Sequence, residues 1–372
     1  MKKVVIAIDS FKGCLPSVEA GKAAAEGIRS VYPECEVICL PIADGGEGML
    51  DVLIMATNGQ EVPISAHDPL MRWRNTYYGI SENGETAFIE MASISGLPLV
   101  PPERRNPMLT TTYGTGEIIR DALERGCRNF IIGIGGSATN DAGLGMLQAL
   151  GFRFSDKEGK EVGTGRGEVL IKVAHIDSTC VHPALNSCRF TVACDVQNPF
   201  YGPEGAAYVF APQKGADREM VEAGLQNFAE VIRHTTGKDI SHHPGAGAAG
   251  GMGGSLLAFL NAELKPGIQL MLEALDFSNK IKSADLIITG EGKADRQTLM
   301  GKVPSGILAE ARKQNIPVIL LAGNIEDSDE LQQAGFEGVF SVNPPFISLE
   351  EAMRPEVACK NIQQTVESIC KK

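Results

Sequence analysis

Residues 2–42 read KKVVIAIDSFKGCLPSVEAGKAAAEGIRSVYPECEVICLPI. Two β-branched runs, KKVVIAI and EVICLPI, flank a helical stretch that begins near Pro16, a residue suited to a helix's first turn. Strand, helix and strand in this order predict a right-handed βαβ unit and therefore a parallel sheet. The same style returns after about residue 283. There ADLIITG and PVILLAGN are strands, and VPSGILAEARKQN between them is a helix. Between the two ends the pattern changes. EVPISAHDPL, MRWRNTYYGIS and ETAFIEMA are strand-like runs, and ENGE before the last carries an Asn-Gly hairpin signal. The expectation is an α/β protein with parallel βαβ units at both ends and antiparallel pieces in the middle.

A chain of 372 residues is long enough for two domains of roughly 150 residues each. The net charge is −12, with no basic block, which argues against a nucleic-acid partner and offers no handle for a membrane surface. The nine cysteines are odd in number and scattered without a CxxC pair, so neither a disulfide framework nor a structural zinc site is expected. The short apolar run before Asp9 reads as a strand rather than a secretory leader. No stretch approaches the roughly 18 apolar residues of a membrane span. These features predict a reduced, cytoplasmic protein.

Residues 133–145, GIGGSATNDAGLG, lie between a strand-like and a helix-like run. Glycine permits φ > 0 and close approach, and a loop opening a helix directs N–H groups and a positive dipole end at its guest. An anion is the expected guest, either a phosphate or a carboxylate. The spacing is not a Walker A loop, and the GxGxxG fingerprint is missing after the first strand. Four more polar loops follow strands: DSFKG (9–13), ADGGEG (43–48), the segment from Cys194, and TGEGKADRQTLMGK (289–302). Ligands of open α/β sheets bind beyond the carboxyl ends of strands.

Phosphoryl transfer needs cradling N–H groups, a cation near the phosphates, carboxylates for Mg²⁺ and a group that orients the attacking hydroxyl. Carboxylates are in excess: Asp9, Asp44, Glu47, Asp141, Asp195, Glu291 and Asp295. Asp195 ends a strand and is the candidate for orienting or deprotonating the hydroxyl. Lys12 is the candidate for transition-state charge, and Asp44 and Asp295 for Mg²⁺. Ser10, Gly135, Gly136, Ser137, Asn140 and Lys293 are candidates for binding phosphate or substrate. Among the arginines of the middle part, Arg105 is the candidate for a substrate carboxylate.

DSFKG, PIADGGEG, ERRNPMLTTTYGTGE, GIGGSATNDAGLGML, the segment from Cys194 to the PQKGA run, GAGAAGGMGG and ITGEGKADRQTLMGKVP occur in order over essentially the whole chain. Together they resemble the bacterial glycerate kinase family, the type without a Walker A loop. One departure is Cys14-Leu15-Pro16, where the family pattern has a hydroxyl-bearing helix start; this touches helix stability more than chemistry.

The resemblance implies ATP- and Mg²⁺-dependent phosphorylation of glycerate, with the 2-hydroxyl favoured over the 3-hydroxyl. It implies a discontinuous Rossmann-like domain of residues 1–65 and 284–372, an inserted mixed α/β domain of residues 66–283, and an active site in the cleft between them. It leaves room for a homodimer. A Rossmann-type oxidoreductase is disfavoured by the missing fingerprint. A two-lobed binding protein for small anions is disfavoured by the surplus of carboxylates.

Overall fold

The computed structural model describes residues 1–46, 48–215 and 217–371; Glu47, one of the carboxylates named above, lies outside the described residues. The chain divides into two units, residues 1–44 with 268–372 and residues 45–267.

The first unit holds β1 (Lys3–Ile8), β2 (Glu36–Cys39) and, from the other end of the chain, β11 (Leu286–Ala294), β12 (Val318–Ile325) and β13 (Gly338–Ser341). All pair in parallel in the order β13-β12-β11-β1-β2. Val4 to Ile8 are buried, as a central parallel strand covered on both faces requires, which is why its sequence is a continuous apolar run rather than an alternating one. The helix Ser17–Val31 follows β1. Its face of Ala20, Ala24 and Ile28 packs with Ile362 and Val366 of the helix Pro355–Cys370. Pro16 stands just before the first turn and provides no side-chain cap. Ser17 Oγ instead donates to the Ile8 carbonyl at 2.6 Å and accepts the Ile42 N–H at 2.9 Å, tying together the segments that leave β1 and β2.

The second unit is built on β3 (Gln60–His67), β4 (Trp73–Ile80), β5 (Thr86–Glu90), β6 (Asn129–Gly133), β9 (Arg189–Ala193) and β10 (Glu263–Lys265), in the order β10-β9-β6-β5-β4-β3. The pairs β3–β4 and β4–β5 are antiparallel; the others are parallel. The mixed sheet expected from the middle of the sequence is therefore present, and Gly84 of the Asn-Gly signal turns the chain from β4 to β5. A separate two-stranded ribbon joins β7 (Arg153–Ser155) to β8 (His175–Asp177).

The chain passes between units at 44/45 and 267/268, earlier than the 65/66 and 283/284 that the resemblance implies. The helix Met49–Ala56 explains the first difference: a Cβ added to Gly79 of β4 would lie 2.6 Å from Ile54, so this helix packs on the mixed sheet. Ile268 explains the second: a Cβ added to Gly306 of the first unit would lie 2.3 Å from it. Among the described residues no helix is long and apolar enough to cross a membrane.

Candidate functional site

In the first unit the chain leaves β1 toward β2 on one side, whereas β12 and β13 lie on the far side of β11. The strand order reverses between β1 and β11, the place where an open parallel sheet leaves a crevice at its carboxyl ends. A cavity of about 320 Å³ opens there, lined by Asp9, Ser10 and Lys12 after β1, Asp44 after β2, and Glu291 and Lys293 on β11. Lys302 reaches it from the start of the helix Val303–Arg312. Phe11, Val342, Leu349 and Met353 form an apolar wall, and Asn324 and Asn343 add amides.

Charge is dense in this cavity. Lys12 Nζ stands 3.4 Å from Asp44, and Lys302 Nζ stands 3.6 Å from Glu291 Oε2. Asp9 is only 6% exposed. Burial, and then the neighbouring charges of Asp44 and Glu291, push its carboxyl up to about 7 against the pull of the Ser10 N–H and Lys12. Burial also raises Glu291, although Thr298 and Lys302 oppose it. Glu291 Oε1 is buried without a hydrogen-bond partner. A buried carboxylate oxygen with no donor beside two more carboxylates is poised for a cation.

Among the described residues, no three His, Cys, Asp or Glu side chains form a ready-made metal cage. Mg²⁺ does not require one, since it is usually held by one or two carboxylates together with phosphate oxygens and water. Hard oxygen donors facing three lysines therefore fit Mg²⁺ and a polyphosphate. Asp295 is not part of this lining. Its Oδ1 caps the turn Arg296–Leu299 by accepting the Gln297 N–H at 2.8 Å, and its Oδ2 pairs with Lys293 at 3.3 Å. Its slight burial is outweighed by these two partners, which hold the carboxyl below its ordinary value.

In the second unit, the glycine-rich stretch joins β6 to the short helix Leu144–Ala149. The donors at the start of that helix are already in use. Asp141 is fully buried and accepts the N–H groups of Gly143 and Gly145, each at 3.2 Å. Its backbone carbonyl accepts Leu144 at 2.8 Å, and Thr112 Oγ1 accepts Met146 at 2.9 Å. The anion held at this helix start is thus the chain's own Asp141, not an outside ligand, contrary to the sequence expectation for that part of the loop. The second glycine-rich stretch, 245–254, has a packing role: a Cβ on Gly250 would lie 2.0 Å from the Thr139 carbonyl, so only glycine lets the two loops touch backbone to backbone.

The first half of the loop remains. Gly135 and Gly136 are exposed, and Gly136 has φ +70°. Ser137, the next residue, is buried and receives a 2.8 Å hydrogen bond from Lys214 Nζ, which also donates to the Thr139 carbonyl at 2.6 Å. Lys214 is 2% exposed. Burial pushes its ammonium down to about 7, against the opposing pull of Asp141. Thr139 Oγ1 and both polar atoms of the Asn140 amide are buried without partners. Arg105 is a neighbour through its backbone: a Cβ on Gly215, the residue after Lys214, would lie 2.4 Å from the Arg105 carbonyl. Its guanidinium Nε donates to the Val100 carbonyl at 3.4 Å. Asp195 is exposed beyond the end of β9, and its Oδ1 accepts the Gly267 N–H at 2.8 Å.

Of the residues singled out in the sequence, Ser10, Lys12, Asp44 and Lys293 share the cavity of the first unit. Gly135, Gly136, Ser137, Asn140 and, through its backbone, Arg105 cluster in the second. Lys214 belongs to the PQKGA run of the resemblance, but its sequence signal, a lysine between Gln213 and a glycine, is that of an ordinary surface turn and assigns it no role.

A family model described as the glycerate kinase family matches residues 4–372. The glycerate kinase of Bacillus subtilis strain 168 is 46% identical over 371 residues, covering 99% of this chain and 96% of the relative. The glycerate 2-kinase of Escherichia coli K12 is 47% identical over 356 residues, covering 95% and 93%. A crystal structure of a Salmonella typhimurium LT2 protein, provisionally named glycerate kinase 2, matches with a TM-score of 0.89 at 42% identity, over 100% of this chain and 98% of that one.

Proposed function

The chain belongs to the glycerate kinase family, and we propose that it transfers the γ-phosphoryl group of ATP to a hydroxyl of glycerate. The observation that carries this reading is the cavity at the strand-order reversal, where three lysines meet three carboxylates. Phosphoryl transfer asks a protein for positioning and charge stabilisation more than for covalent chemistry, and these residues supply both.

Lys12, Lys293 and Lys302 bind and neutralise phosphate oxygens, and Lys12 is the group proposed to meet charge that develops during transfer. Asp44 is kept as a metal ligand. Asp9 and Glu291, which share its cavity, are proposed beside it, whereas Asp295 serves as the turn's cap. Mg²⁺, when bound, neutralises the phosphates. The apolar wall of Phe11, Val342, Leu349 and Met353 suits the flat face of a base and excludes water. Asp195 is retained as the group that orients or accepts the hydroxyl proton.

The 2-hydroxyl is the proposed acceptor, supported by the Escherichia coli relative's being a glycerate 2-kinase. A cytoplasmic location is supported by the free, scattered cysteines. The test is ADP release by the purified chain with each glycerate enantiomer. Release should depend on glycerate, stop with EDTA and return with Mg²⁺, and ³¹P NMR should show 2-phosphoglycerate. No glycerate-dependent ADP release with either enantiomer would refute the reading, and 3-phosphoglycerate would refute the regiochemistry alone.

A further inference from the structure

The second unit holds a polar centre to which the reading above gives no task. Its focus is Lys214. A lysine with 2% exposure is rare unless its ammonium is well matched. Here the acceptors are the Ser137 hydroxyl and the Thr139 carbonyl. The bond from Lys214 is the one that the Ser137 side chain makes among the described residues. A hydroxyl that accepts through its lone pair keeps its own proton for another acceptor. The two residues before Ser137, Gly135 and Gly136, are exposed.

We infer that Lys214 is a positioning residue for the glycerate carboxylate, acting through Ser137, whose hydroxyl proton it leaves free for an anion seated on the Gly135–Gly136 surface. The inference rests on the glycerate kinase reading and deepens it. One observation supports it independently of the Lys214–Ser137 bond. Thr139 Oγ1 and the Asn140 amide are fully buried and unpartnered in the same loop. In a native structure such groups call for a ligand or water.

Protonation gives the inference a signature. The charged group acting on Lys214 is Asp141; Arg105 abuts its segment by backbone and sends its guanidinium Nε to Val100. Burial leaves the free ammonium titrating at about 7. A carboxylate close by raises that value, so binding glycerate above neutral pH takes up a proton. The KM for glycerate then climbs with pH above about 7, by at most roughly tenfold per unit.

The experiment uses the full chain. Initial rates are measured for wild type, Lys214→Met and Ser137→Ala between about pH 6 and about pH 9. Lys214→Met should raise the KM for glycerate at least about tenfold, leave the KM for ATP within about twofold, and flatten the pH dependence of the glycerate KM. Ser137→Ala should raise the glycerate KM in the same selective way, and it keeps the Lys214–Thr139 bond if the first variant does not fold. Calorimetry of glycerate binding to wild type at about pH 8, in buffers of different ionisation enthalpy, should show proton uptake. An unchanged glycerate KM, an equal rise in both KM values, or binding without proton uptake would each overturn the inference. A wild type without glycerate-dependent ADP release would fail the parent reading, whereas an active wild type with indifferent variants fails this inference alone.

Discussion

The Asp141 carboxylate accepts both the N–H and the hydroxyl of Thr112, each at 2.8 Å. Thr112 in turn accepts the Met146 N–H, so two segments 29 residues apart close the start of one helix between them. Deleting the carboxylate strands several buried donors at once. Asp141→Ala should cost about 3 kcal/mol or more, and Thr112→Val about 1–2 kcal/mol. Urea midpoints at constant slope measure both. A wild-type midpoint for Asp141→Ala would show that the loop does not depend on this carboxylate.

Asp9 carries a pH signature. Its folded value, about 7, lies above the ordinary 3.8, so between these the folded state holds a proton that the unfolded state has released. This group's contribution to stability therefore falls as pH rises from about 4 to about 7 and stays low above. Asp9→Asn has no such penalty. In EDTA the variant should be more stable than wild type at about pH 8, by up to a few kcal/mol, with the gain shrinking to nothing near pH 4 and with turnover lost. A stability difference that does not vary with pH contradicts the assignment.

Gly136 has φ +70°, and a Cβ there would meet Ala92 at an ordinary 3.5 Å. Space exists, so the penalty of Gly136→Val is backbone strain of about 1–2 kcal/mol. The fold should persist while glycerate binding weakens. Full affinity and activity in this variant would reduce the exposed half of the loop to a turn.

For Asp195, asparagine keeps an oxygen for the Gly267 N–H and removes the base. Asp195→Asn should lower kcat at least about tenfold with little change in the KM for ATP. Recovery at high Mg²⁺ would reassign Asp195 as a metal ligand. Near-normal kcat at ordinary Mg²⁺ removes it from the reaction and leaves Asp9 as the next carboxylate to examine.

Much of this was local and therefore legible. The β-branched run Val4 to Ile8 reads as a strand and the Asn83-Gly84 pair as a hairpin turn, and both are found in the fold. Ser10, Lys12 and Asp44 were found because they follow strands, and strand ends are readable from periodicity. Pairing across long separations was not readable. That β1 would lie beside β11, placing Asp9 with Glu291, is decided by sheet order, to which residues hundreds of positions apart contribute. The glycine loop's own sequence announced an anion, but only the fold reveals that Asp141 occupies the helix start. The reason is that a buried carboxylate's partners, here Thr112, are chosen by three-dimensional proximity. Lys214 makes the same point. Nothing in its neighbours distinguishes it from a solvated lysine, and only packing against Ser137 and Thr139, more than seventy residues earlier, takes its ammonium out of water.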